Sequence, residues 1–175
     1  MKLFLRIDGH FFRAVGVDRI DHVLEPPDVT SAGRYHRLGQ PTLYMSPSIE
    51  WSTMAISGYM REDGRERVIV PLMVSEAFVV DQRDEYACNI LGIDRERSNQ
   101  SWRPALLAGK EPASWINADI ARNAGADGII DRSRMIPDGW HLNLFRWNDL
   151  GGPSVTVCGE PIPISLSSDG TKWGL

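Results

Sequence analysis

The β-branched and aromatic runs of this chain are short and numerous, and they do not alternate regularly with helical segments. KLFLRI (Lys2 to Ile7) and FFRAVGV (Phe11 to Val17) flank Asp8-Gly9, which predicts a hairpin turn between two strands. Thr42 to Met45, RVIVPLMV (Arg67 to Val74), EAFVVD (Glu76 to Asp81), GIID (Gly128 to Asp131), WHLNLF (Trp140 to Phe145), SVTVC (Ser154 to Cys158) and IPISL (Ile162 to Leu166) predict further strands. Pro71 puts its strand at an edge or a bend. Two segments carry helix signals. Ser46 followed by Pro47 reads as a cap and first helical residue of a helix running to about Met60, and Pro112 to Asn123 precedes Gly125, where a left-handed cap is wanted. Asp18 to Gly39 reads mostly as loop, and the charged stretch Asp81 to Gln100 is ambiguous. Many strands, few helices and no regular alternation predict an α+β fold of short, mostly antiparallel strands, in a single domain over residues 1–175.

Composition narrows the function classes. Hydrophobic residues at 42% and charged residues at 24% fit a globular protein rather than a disordered or membrane one. The net charge of -4 and the lack of any Lys/Arg block argue against direct nucleic-acid binding. The apolar run in MKLFLRIDGHFF is cut by Arg6 and Asp8, too short for a signal or a span, so no membrane association is expected and the cytoplasm is the expected compartment. Cys88 and Cys158 form no metal or redox motif, and His10, His22, His36 and His141 show no ligand spacing, so no metal is expected. No GxGxxG, P-loop or GxSxG pattern occurs.

Three clusters could carry chemistry. In Gly33-Arg34-Tyr35-His36, at an expected loop-to-strand junction, the guanidinium offers a planar fork to a phosphate or carboxylate beside stacking aromatics; a surface arginine next to a packing tyrosine is the plainer alternative. Tyr44-Met45-Ser46 ends a strand where a helix starts, a place suited to anions, although Tyr44 could be core and Ser46 a cap. In DRSR, Ser133 lies between Arg132 and Arg134 just after an apolar strand, where its hydroxyl could reach a ribose or phosphate oxygen.

The order GRYHRLGQPTLYMSPS, a helix, then GADGIIDRSRM and WHLNLF resembles the RES-domain family, the toxin half of bacterial Xre-RES toxin-antitoxin pairs, from about Phe12 to about Trp147. The resemblance implies a fold similar to the ADP-ribosyltransferases and an enzyme that consumes NAD, breaking the nicotinamide-ribose bond and passing ADP-ribose to water, phosphate or a protein target. It places the family arginine on Arg34, the strand-end tyrosine on Tyr44 and the serine on Ser133. Arg34 would then hold the diphosphate, Tyr35 and Tyr44 line the nicotinamide-ribose side, and Ser133 bond ribose or phosphate, with His36 and Ser46 beside them. NAD is the substrate and no metal is implied. The implied partner is an Xre-type helix-turn-helix antitoxin; homodimerisation is left open.

The family glutamate belongs eleven positions after the tyrosine, and there this chain has Ala55. Glu50 would sit about 140° from position 55 around a helix; Glu62 shares its face but lies two turns, about 10 Å, further along. Three readings stay open: a natural variant with a shifted carboxylate, a degenerate member, or an inactivating Glu→Ala substitution made so that a toxic protein could be produced. A different class also stands, a silent RES-like module that only engages its antitoxin. A glycoside hydrolase would need two facing carboxylates, and no such pair is evident.

Overall fold

The computed structural model describes residues 2–166 and 173–174. Its strands are β1 (Leu5–Gly16), β2 (Leu43–Met45), β3 (Arg67–Asp81), β4 (Gly128–Arg132), β5 (Trp140–Leu144), β6 (Ser154–Val157), β7 (Ile162–Pro163), β8 (Ser165–Leu166) and β9 (Trp173–Gly174). Its helices are α1 (Ile49–Asp63), α2 (Glu85–Leu91), α3 (Arg95–Asn99), α4 (Trp102–Leu107) and α5 (Ser114–Asn123), with a 3-10 segment over Val17–His22. The main sheet runs β1-β3-β4-β5-β2, with β6 and β7 also on β3, and β8 pairs with β9. Among the described residues only β3 and β4 run parallel in it. The α+β class holds.

The two ends of that sheet meet. Phe12 of β1 and Ser46, just beyond β2, exchange backbone hydrogen bonds of 2.8 and 2.9 Å, so the outer strands pair with each other and the sheet curls shut. This leaves few unpaired edges. One face packs Phe11, Val15, Leu43, Met45, Val70, Leu72, Ile130 and Leu142 together. The other face packs Tyr35, Val80, Ile129 and Phe145 against Cys88 of α2 and Ala118 and Ala121 of α5. The period of two decides which face each strand residue joins.

Several local expectations are corrected. Asp8-Gly9 is no hairpin: β1 is continuous, and the two runs around Ser75 form one strand, β3, paired antiparallel with it. Between the pairs Ile7↔Ala77 and Gly9↔Val74, β1 has one residue and β3 has two. The extra residue makes a bulge in which Glu76 takes φ 59°, and the Asp8 carboxylate accepts from the Glu76 amide at 2.8 Å. The turn-forming signal was a bulge cap. Pro71 is on no edge; it lies opposite Phe12 where the other side of β3 passes from β7 to β6, so its missing N–H interrupts neither ladder. The helix cap is Ser48, accepting from the Trp51 amide at 3.0 Å, because Ser46 is still committed to the sheet. Gly64, at φ 64°, ends α1 three residues later than expected. The ambiguous stretch folds as α2 and α3, started by the carboxylates of Asp84 and Asp94.

Gly128 opens β4 where it crosses β5, and a Cβ there would stand 2.3 Å from the Asn143 carbonyl oxygen. Gly128→Ala should therefore lower the unfolding free energy by about 3 kcal/mol, because the obstacle is paired backbone that cannot rotate away. Denaturant titration checks this; an unchanged midpoint would mean that β4 and β5 separate at no cost.

Candidate functional site

Gly33 to His36 form a tight turn rather than a junction into a strand, closed by the Gly33 amide on the His36 carbonyl at 3.0 Å. Three consecutive carbonyls of this turn accept from side chains of α5. The Trp115 indole donates to Gly33 at 2.7 Å, the Ser114 hydroxyl to Arg34, and Arg122 to Tyr35 at 2.7 Å. A loop with no ladder must find partners elsewhere, and here one helix supplies them.

The Tyr44 hydroxyl accepts from the Tyr35 amide at 3.0 Å and lies 2.8 Å from His36 Nδ1. His36 Nε2 lies 3.1 Å from the Ser31 carbonyl, which can only accept. The tautomer follows: Nε2 carries the proton, Nδ1 accepts from Tyr44, and the phenol donates. Burial holds His36, 3% exposed, down to about 4. Burial likewise pushes the Tyr44 phenol up. Tyr44 and His36 therefore build the turn, and the phenol has no proton left for a ligand. Gly33 is required by the same closeness, since a Cβ would meet the His36 ring at 2.5 Å and the Tyr44 oxygen at 2.8 Å.

Arg34 projects from the clamped turn to α3 and the residue after it, donating to the carbonyls of Ser98 and Gln100, both at 2.9 Å. Arg134, from the loop after β4, donates to the same Ser98 carbonyl. Two half-buried guanidinium groups thus converge on one oxygen. Burial and the charge of Arg134 both act against the Arg34 cation. Among the described residues no carboxylate lies within 4.0 Å of Arg34, while Arg134 has only a loose contact of 3.4 Å with Asp131. The Tyr35 ring is buried beneath, its hydroxyl reached by Gln82 at 3.4 Å in a network with Ser98 and Asn117.

Ser46 turns its hydroxyl to His141 Nδ1 at 2.7 Å. Burial, with Arg134 and Arg34 nearby, holds His141 down to about 4 as well. Ser133 caps its own loop, accepting from the amides of Met135 and Ile136 at 3.2 and 3.1 Å. It lines an open pocket of ≈ 580 Å³ together with Arg83, Arg132 and Arg134. Ala55 is exposed on α1, one turn before Tyr59, which lies under Arg103 at 4.2 Å. Glu62 is held by Arg103 at 3.2 Å, and Glu50 is exposed on a different face.

The structure thus joins Arg34, Tyr35, His36 and Tyr44 in one hydrogen-bonded group, links Ser133 to it through Arg134, and leaves Ala55 on a separate element. Sequence reasoning missed Asp131 and His141. Both had a signal: His141 and Asn143 alternate with Leu142 and Leu144, and Asp131 alternates with Ile130, so both fall on the face opposite the cluster of Ile130, Leu142 and Leu144, the face of Ile129 and Tyr44.

A family model described as the RES domain matches residues 5–166. Among solved structures, a chain of the crystal structure of the M. tuberculosis MbcT-MbcA toxin-antitoxin complex is similar with a TM-score of 0.63 at 11% identity, over 91% of this chain and 86% of that one. At that identity the likeness speaks for the fold. No curated protein matches in sequence.

Tyr44→Phe leaves the Tyr35 amide and His36 Nδ1 without partners, so stability should fall by about 2 kcal/mol, measured by denaturant unfolding. No loss would mean that the turn stands without the phenol. Both folded-state histidines lie below the ordinary value of 6.5, so the neutral forms are the stabilised ones. Their contribution is complete above pH 6.5 and is lost as the pH falls through about 4. The acid slope of stability over that window should shrink in His141→Asn; a slope unchanged by the substitution would remove His141 from the account.

Proposed function

Because the RES-domain match spans most of its length, this chain belongs to the RES-domain family, and we propose that it is the toxin of a bacterial toxin-antitoxin pair that consumes NAD. The observation that carries the reading is the convergence of Arg34 and Arg134 on the Ser98 carbonyl. Two like charges kept partly from water, with one loose carboxylate between them, are relieved by a bound dianion. A diphosphate fits that requirement. Arg132 extends the positive wall around the Ser133 pocket, where Arg83 is paired with Asp81 at 2.8 Å, and Ser133 can donate its hydroxyl proton while still accepting from its loop.

In the reaction so assigned, the bond between ribose C1′ and nicotinamide nitrogen breaks, its electron pair leaves with neutral nicotinamide, and the acceptor adds at C1′, water giving up a proton to solvent. Positive charge grows on the ribose on the way. Residues of this chain divide the work. Arg34 and Arg134 bind the diphosphate end, the clamp from α5 fixes where Arg34 points, and Tyr35 and Tyr44 shape the wall beside it. His36 holds Tyr44 in place rather than touching substrate. The implied partner is an Xre-type helix-turn-helix antitoxin that covers the site. Ala55 favours a second reading, a binding module without turnover, since α1 presents no carboxylate at that position.

The test is NAD incubation of the purified chain and of Ala55→Glu, resolving nicotinamide, ADP-ribose, phosphorylated ADP-ribose and modified protein, with and without phosphate and cell extract. Ala55→Glu should consume NAD, and the product identifies the acceptor. Arg34→Ala should weaken NAD binding about 10- to 100-fold by calorimetry. Failure of both the chain and Ala55→Glu to consume NAD would end the enzymatic reading.

A further inference from the structure

Family membership leaves open where a carboxylate comes from when position 55 holds alanine. We infer that Asp131 on β4 supplies it, from the floor of the sheet instead of from α1, an inference that rests on the NAD-consuming reading above.

Three observations lead there. Asp131 is directly opposite His141 in the β4-β5 pairing, and the alternation of β4 puts it on the face of Ile129, shared with Tyr44 and Tyr35. Ser46, just beyond β2, His141 of β5 and Asp131 of β4 thus form a row, and the charges of Arg134 and Arg34 both act on its middle member. Second, Asp131 is 4% exposed, yet Arg134 gives its short bond to Ser98 and approaches Asp131 only at 3.4 Å. The buried Tyr35 hydroxyl is the other partner of Asp131 and is neutral, so no close ion pair takes up the charge of the carboxylate. Third, the other acidic candidates are placed elsewhere. Glu62 is engaged by Arg103 and Glu50 lies on another face of α1, whereas Asp131, which burial shifts upward, is countered in part by Arg134, Tyr35 and Arg34.

A ribose held beside a diphosphate on Arg34 and Arg134 would stand over this row. The charge of Asp131, in surroundings of low dielectric, then favours the cationic transition state more than the ground state. The same side chain could simply balance Arg134, and a double-mutant cycle separates the two roles. The full chain, Asp131→Asn, Ala55→Glu and the double variant are compared for steady-state NAD loss, NAD affinity and melting temperature.

The original chain should consume NAD, and Asp131→Asn should lower kcat ~100-fold with NAD affinity and melting kept. In the Ala55→Glu background the same change should cost several-fold less, because a second carboxylate then serves. Equal losses in both backgrounds, or a loss confined to NAD affinity, would overturn the inference. So would turnover by Ala55→Glu with none by the original chain, a result that leaves the NAD reading intact. If neither consumes NAD, that reading itself has failed. Should Asp131→Asn not fold, Asp131→Glu replaces it: its displaced carboxylate should depress kcat in the original background and less so beside Ala55→Glu, and equal effects count against the assignment.

Discussion

The hold of α5 on the turn at residues 33–35 is the constraint from which the site follows. Three carbonyls in a row have no strand to pair with, and Ser114, Trp115 and Arg122 satisfy each in turn. Arg122 also stacks on Phe145 at 4.0 Å, and Arg37 ties the outgoing chain to Asp119 at 2.7 Å, so the turn is fixed at both ends. With the backbone clamped, the Tyr35 ring goes inward and the Arg34 guanidinium goes toward α3. Neither direction is a free choice of rotamer.

Around this turn the charges are arranged by burial. Burial holds the histidines nearest the site neutral and the phenols protonated, and it acts against the Arg34 cation. What results is a local positive field at Arg34 and Arg134 on a chain whose net charge is -4. Fields of this kind are focused by low-dielectric walls, so a small anion experiences the site rather than the average of the surface. That is why the overall acidity of the chain speaks against nucleic acid without speaking against a diphosphate.

The fold class was legible because it depends on local pattern: strand periods, the absence of alternation, and Gly125 past α5. The errors arose where one signal has two physical uses. Asp8-Gly9 suits a hairpin, but an aspartate can equally cap a bulge in the partner strand, and only the register with β3 decides. Ser46 and Ser48 are both plausible caps, and the pairing with Phe12 removes the first. The family resemblance named the candidate residues, and their arrangement was illegible. Trp115 on Gly33 and Arg134 on Ser98 are contacts between distant parts of the chain, with no periodic trace in either segment. The placing of His141 was legible, since a histidine alternating with leucines on a central strand faces away from the cluster those leucines join.

An electrostatic role in catalysis depends on where a charge stands and on the dielectric around it, and not on which element carries it. A carboxylate on α1 would approach the site from a helix whose buried face is made of Ser52, Thr53 and Ser57, a layer that sets the distance of the helix from the sheet. A carboxylate on β4 needs no such adjustment, because β-pairing to β5 already holds it in register with His141. The sheet position is held by β-pairing, and its cost is burial, which shifts Asp131 upward and which Arg134, Tyr35 and Arg34 counter only in part. On the proposed reading, alanine at position 55 takes away one possible carrier of the charge while Arg34, Arg134 and the sheet floor stay where they are. Two groups at different positions can then satisfy one chemical requirement, provided the clamp keeps Arg34 fixed relative to both.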